Sequence, residues 1–125
     1  MKLNQDCVRD LLLYLEENLT LNDHLSVENI SLKNYSRDEL LYTADKLYEA
    51  GYINCMRKIY DTTDLIILIS SITYEGHQFL DNIRDDKVFA KTKSILSKFK
   101  SVSIAVISET ASKVITNMIN QQFNL

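Results

Sequence analysis

The stretch YSRDELLYTADKLYEAGYI, residues 35–53, holds one helix with both of its ends written out. Ser36 and Glu39 have the spacing of a capping box, in which the hydroxyl accepts an orphan amide and the carboxylate reaches back to the cap. Tyr35 and Leu40 stand on either side of that cap as a hydrophobic staple. Leu40, Leu41, Ala44, Leu47 and Tyr48 recur at helical spacing and predict the buried face. Gly51 is placed to take the left-handed position that ends a helix, with Tyr52 following beside Leu47. What flanks this helix decides the architecture.

Downstream, YINCMRKIY and LIILISSI are β-rich runs around the acidic turn DTTD (Asp61 to Asp64), which reads as a hairpin. The second run is almost wholly apolar and predicts a strand covered on both faces. Thr73 then caps a helix reaching about Asp85, with Phe79, Leu80 and Ile83 inward. Glu75 suits the positive helix end, and Gly76 lets the helix approach the preceding strand closely.

Upstream, Asn4 caps a first helix whose stripe is Val8, Leu11, Leu12, Leu15 and Leu19. Between the two helices, Asn22-Asp23 reads as a turn, and Val27, Ile30 and Leu32 suit a short strand. A basic helix follows residue 86, with Val88, Phe89, Ile95, Leu96 and Phe99 on one side. Lys87, Lys91, Lys93, Lys98 and Lys100 lie elsewhere on it. Ser103 caps a last helix with the stripe Ile104, Ile107, Ala111, Val114, Ile115 and Met118.

The expected class is therefore α+β and mostly helical. Helix, strand-like segment, helix, hairpin, helix resembles a winged helix-turn-helix. On that resemblance, residues 36–50 occupy the recognition position, DTTD is the wing tip, and Thr-x-x-Gly is the step that follows a wing. Residues 1–86 would form this winged-helix-like domain. Residues 87–125 would be a C-terminal two-helix extension, packed on the same core or dimerising.

TYEGHQFLDNIRDD (Thr73 to Asp86) resembles the signature of a bacterial and phage family known as domain of unknown function 2513. The start MKLNQDCVRDLLLYLEEN, the segment at 35–53 and the Val88-Phe89 pair fit the same family, with Tyr74 where it usually has Trp. The resemblance implies a phage or prophage setting. It carries over no catalytic residue, because the family has none assigned.

Composition narrows the function classes. A chain of 125 residues, 46% hydrophobic, suits one core. No run of about 18 apolar residues is present, which predicts no membrane span. Acids inside the first apolar stretch argue against a secretory signal. Two cysteines, Cys7 and Cys55, in no metal or redox spacing fit free thiols in a reducing cytoplasm. Charge is uneven: residues 1–86 hold eight Lys/Arg against sixteen Asp/Glu, and residues 87–125 six against one.

No constellation supports catalysis or a cofactor. His77 and Asp81 share a helix face, but a stable metal site needs three or four ligands, so the expectation is a hydrogen-bonded surface pair. Asp85 and Asp86 sit beside Arg84 and Lys87, where a carboxylate stays ionised rather than serving as a proton donor. No glycine-rich phosphate loop occurs. The expected protein is a non-enzymatic regulator or inhibitor acting through a host or phage protein.

Its candidate contact residues are Arg37, Asp38, Tyr42, Asp45, Glu49, Asp61 and Asp64. The alternative is a DNA-binding transcriptional regulator contacting duplex DNA through Lys46, Arg57, Lys58, Lys91 and Lys98. Acids at the recognition helix and wing tip oppose that alternative, since phosphate contacts need cations. The stripe Ile104, Ile107, Val114, Ile115 and Met118 has two readings, a return to the chain's own core or a homodimer seam.

Overall fold

A computed structural model describes residues 1–60 and 64–123. The elements run α1 (Gln5–Asn18), β1 (Leu25–Ser26), a 3₁₀ turn (Val27–Asn29), α2 (Arg37–Glu49), β2 (Ile53–Tyr60), β3 (Asp64–Ile72), α3 (Tyr74–Ile83), α4 (Asp86–Leu96) and α5 (Ile104–Gln122). The class is α+β: among the described residues, five α-helices and an antiparallel sheet of order β1-β3-β2.

The helix caps follow the sequence closely. Side chains of Asn4, Ser36, Thr73 and Ser103 each accept the amide three residues on, from Cys7, Glu39, Gly76 and Val106. Only half of the expected capping box forms: the Glu39 carboxylate accepts from Asn4 Nδ2 at 3.0 Å rather than from the Ser36 amide, so the start of α2 is tied to the start of α1. At the other end of α2, Gly51 has φ +80°. The Tyr52 amide donates to the Leu47 carbonyl and the Gly51 amide to that of Tyr48, both at 2.9 Å. This is the paired closure that a left-handed glycine makes possible.

Several expectations are corrected. The segment around Val27 is a two-residue strand followed by a 3₁₀ turn rather than a strand, because the Ser26 side chain takes the Glu28 amide and curls the chain. Asn22 does turn the chain, at φ 64°. Tyr48 is 40% exposed, lying at the edge of the apolar face of α2. The third helix stops at Ile83, since Asp85 accepts the amides of Lys87 and Val88 and starts α4 instead.

β3 is central yet covered on one face only. Ile67 and Ile69 are fully buried, while Ile66 and Leu68, on the other face, remain half-exposed. A register shift between Asn54 and Cys55 inserts Ser70 as an extra residue. Its hydroxyl donates to the Asn54 carbonyl at 3.1 Å, and Asn54 Nδ2 donates to Ser71 Oγ at 2.9 Å. The bulge turns Ile72 to the same side as Ile69, where both pack on the core.

One apolar core runs across residue 86. It joins Leu11, Leu47, Ile67 and Phe79 with Phe89, Leu96, Ile107 and Val114. Ile95 and Phe99, expected inward, are 40% and 62% exposed: Ile95 lines an open groove between α4 and α5, and Phe99 is carried outward where the chain leaves helical geometry after Leu96.

Polar bonds reinforce the joint. Arg9 Nε donates to the Ile83 carbonyl at 2.9 Å, its guanidinium pairs with Asp86 at 2.7 Å, and it lies over Phe89. Arg84 grips Glu16 through two contacts of 2.6 and 2.7 Å, and Lys93 reaches Asp6 at 2.8 Å.

Candidate interaction surface

Asp38, Tyr42, Asp45 and Glu49 follow one another at four, three and four residues, so α2 presents them as a single stripe. Asp38 is exposed at the start of the helix, and Tyr42 is half-buried farther along. Asp45 meets Arg57 of β2 at 2.7 Å, and Arg57 also lies over the Tyr48 ring. Glu49 receives Lys46 at 2.8 Å, while Lys46 stands over the Tyr42 ring. That hydrogen bond holds the Glu49 carboxyl below the ordinary carboxylate range and raises the Lys46 ammonium. Arg37 is engaged by Glu28 at 2.6 Å and reaches the Leu65 carbonyl at 3.4 Å.

The expected contact residues thus divide. Asp38 is 80% exposed with only a loose 3.8 Å contact to Arg37, and the exposed Asp64 has no ion pair among the described residues, whereas Arg37, Asp45 and Glu49 each hold a close partner within the chain. Asp61, expected at the hairpin tip, lies outside the described residues. Of the candidate DNA contacts, Lys46 and Arg57 are engaged by carboxylates. Lys58 is exposed on β2 opposite Ile66, Lys91 is exposed on α4, and Lys98 is exposed just beyond its end.

Of the proposed dimer stripe, Ile104, Ile107 and Val114 are spent on the chain's own core. Ile115 is partly buried against it, and Met118 is 44% exposed. The return to the core therefore holds for the first half of α5. A seam built on all five residues would require the monomer to unpack.

The expected bond between His77 and Asp81 is not formed among the described residues; Asp81 instead accepts from Arg84 at 3.1 Å. Both histidines line one open hollow of about 460 Å³ with Glu16 and Asp23. Among the described residues no group of three or more His, Cys, Asp or Glu is arranged to hold a metal. Cys7 is buried, accepts the Thr43 hydroxyl at 3.3 Å, and has its thiol pushed up to about 11 by burial.

Sequence reasoning missed the exposed apolar residues of the hairpin. Met56 pairs across from Leu68 on the uncovered sheet face and is 56% exposed, while Ile59, opposite Leu65 on the face of Arg57, is 73% exposed. The signal was present as Met56 and Ile59 set among Arg57 and Lys58. The near-continuous apolar character of β3 concealed it, because such a run reads as doubly covered.

Comparison with known proteins adds family context. A family model described as hypothetical protein (DUF2513) matches residues 2–103. The chain is also similar to an uncharacterized protein of Haemophilus influenzae, 30% identical over 121 residues, covering 95% of this chain and 99% of the relative. No solved structure matches. Among the described residues no helix is long and apolar enough to cross a membrane.

Proposed function

The chain belongs to the DUF2513 family of hypothetical proteins, and on that premise we propose that it is a non-enzymatic, winged-helix-like binding protein. It acts in the cytoplasm, in a phage or prophage setting, as a regulator or inhibitor of a protein partner. The winged-helix reading is supported by the order α1, β1, 3₁₀ turn, α2, β2, β3 and by the sheet order β1-β3-β2. In it α2 takes the recognition position, and the 3₁₀ turn stands where a helix-turn-helix has its first helix.

One observation carries the preference for a protein partner. The recognition-position cations Arg37 and Lys46, and Arg57 of the hairpin, are already bound by Glu28, Glu49 and Asp45. Docking on phosphate would have to break those pairs and bring Asp38 and Asp64 toward a polyanion. Met56 and Ile59, exposed on opposite faces of β2, each add apolar contact area of the kind a protein surface uses and a phosphate backbone does not.

The test is affinity capture with wild type and two folded variants, Asp38→Lys with Asp64→Lys, and Met56→Asp with Ile59→Asp. A partner held by wild type and lost from both variants supports the reading. Retention of every captured protein by both variants removes this surface from the account.

A further inference from the structure

A second surface lies on the opposite chemical footing, between α4 and α5. Lys87, Lys91 and Ile95 of α4 face Val114, Met118 and Gln121 of α5 across a groove of about 300 Å³. Its floor is apolar, with Ile95 and Met118 both left exposed. Lys87 and Lys91 stand one helical turn apart on one wall. Neither makes an ion pair among the described residues, whereas Lys93 on the same helix is engaged by Asp6. Asn117 and Gln121 give the other wall two neutral amides, again one turn apart.

A separate depression of about 340 Å³, lined by Asp85, Ile115, Ile119 and Phe123, shares only Met118 with this groove and lies on another face of α5. Along its α4 wall, from Lys87 to Ile95, the groove is roughly 12 Å long at the helical rise. That length accommodates about two turns of a partner helix, enough for anchors at i, i+4 and i+7. Unpaired lysines beside an apolar floor complement a chain carrying both carboxylates and apolar anchors. A nucleic-acid backbone would use the lysines and leave the floor empty, and a second copy of this face would bring further lysines and amides but no carboxylate to answer them.

The geometry points to this groove as a docking site for an acidic amphipathic helix of a partner protein. The site is separate from the acidic face of α2 and the hairpin, so either can fail without the other.

The test uses the full chain and a fluorescent 14-residue peptide with leucines at i, i+4 and i+7 and glutamates on one flank. A matched peptide carries lysines for the glutamates. The expected result is saturable binding of the acidic peptide alone. Lys87→Glu with Lys91→Glu should weaken it about tenfold or more, as should Met118→Asp, the scale of losing desolvated charges or an anchor. Far-UV circular dichroism verifies that these surface variants remain folded. No binding of the acidic peptide, equal binding of the basic one, or indifference to both variants overturns the assignment. Met118→Asp abolishing a concentration-dependent dimer in sedimentation would also overturn it, in favour of a second copy.

Discussion

Thr73 Oγ1 donates a 2.6 Å hydrogen bond to the Gly51 carbonyl, so the residue that starts α3 also closes the end of α2. The same oxygen accepts the Gly76 amide at 3.0 Å, and the Thr73 amide donates to the Tyr52 carbonyl at 3.0 Å. The glycine that ends one helix and the Thr-x-x-Gly step that opens the next are thus one physical unit, separated in sequence by the whole hairpin. This junction fixes the angle at which β2 and β3 leave the helical body.

The two glycines of that junction fail differently. A Cβ on Gly76 would lie 2.0 Å from the Tyr52 carbonyl oxygen, and backbone has nowhere to retreat. Gly76→Ala should cost about 3 kcal/mol or more, at or beyond the usual range of overpacking. Gly51→Ala meets nothing within 4 Å and suffers only from φ +80°, which costs roughly 1–2 kcal/mol. Urea denaturation of both variants measures the ordering.

Arg9 is the bolt between the first helix and the α3–α4 corner. Its side chain is 16% exposed, donates to the backbone of Ile83 and Arg84, and pairs with Asp86. Arg9→Met should destabilise by about 2–3 kcal/mol, the range for hydrogen bonds to a charged group. Arg9→Lys should recover little, because an ammonium lacks the planar fork that serves several acceptors at once. Thermal and urea unfolding of both variants provide the readout.

Glu16 makes stability depend on acidity in a defined direction. The bidentate Arg84 contact lowers its carboxyl below the ordinary value of 4.5. A depressed folded value means the contribution is complete above 4.5 and is lost as pH falls through the lowered value. The stability gap between wild type and Glu16→Gln should therefore be constant near neutral pH and close in acid. Denaturant titrations at a series of pH values check it; a gap that widens in acid contradicts the sign.

The two halves of α5 should respond oppositely to a charge. Ile107 is 1% exposed, so Ile107→Asp removes core and buries an acid, at a cost of about 3 kcal/mol or more. Met118→Asp should leave the chain folded within about 0.5 kcal/mol of wild type, as a surface change does. Circular dichroism and sedimentation decide whether the first variant unfolds a monomer or splits a dimer.

Local chemistry was legible where it is local. The caps at Asn4, Ser36, Thr73 and Ser103 and the closure at Gly51 depend on a few neighbouring residues, and each was recognisable from spacing. Burial was less so. Leu65 to Ile69 read as doubly covered because both faces carry isoleucine or leucine, yet coverage depends on which elements return to pack there. Ile95, Phe99 and Met118 continue apolar stripes past the point where a partner helix lies, and periodicity does not say where the partner stops. Ion pairing was equally hidden: Arg57 with Asp45 and Arg37 with Glu28 are contacts between elements. They give Arg37 and Arg57 carboxylate partners within the chain.

Fluorescence anisotropy of a labelled duplex, titrated with the wild-type chain across a salt series, tests the preference for a protein partner most directly. No saturable binding tighter than roughly 100 µM is expected near 0.1 M salt, the weak end of non-specific association. Submicromolar, sequence-selective binding that falls steeply with salt and is lost in Lys46→Glu with Arg57→Glu would contradict it.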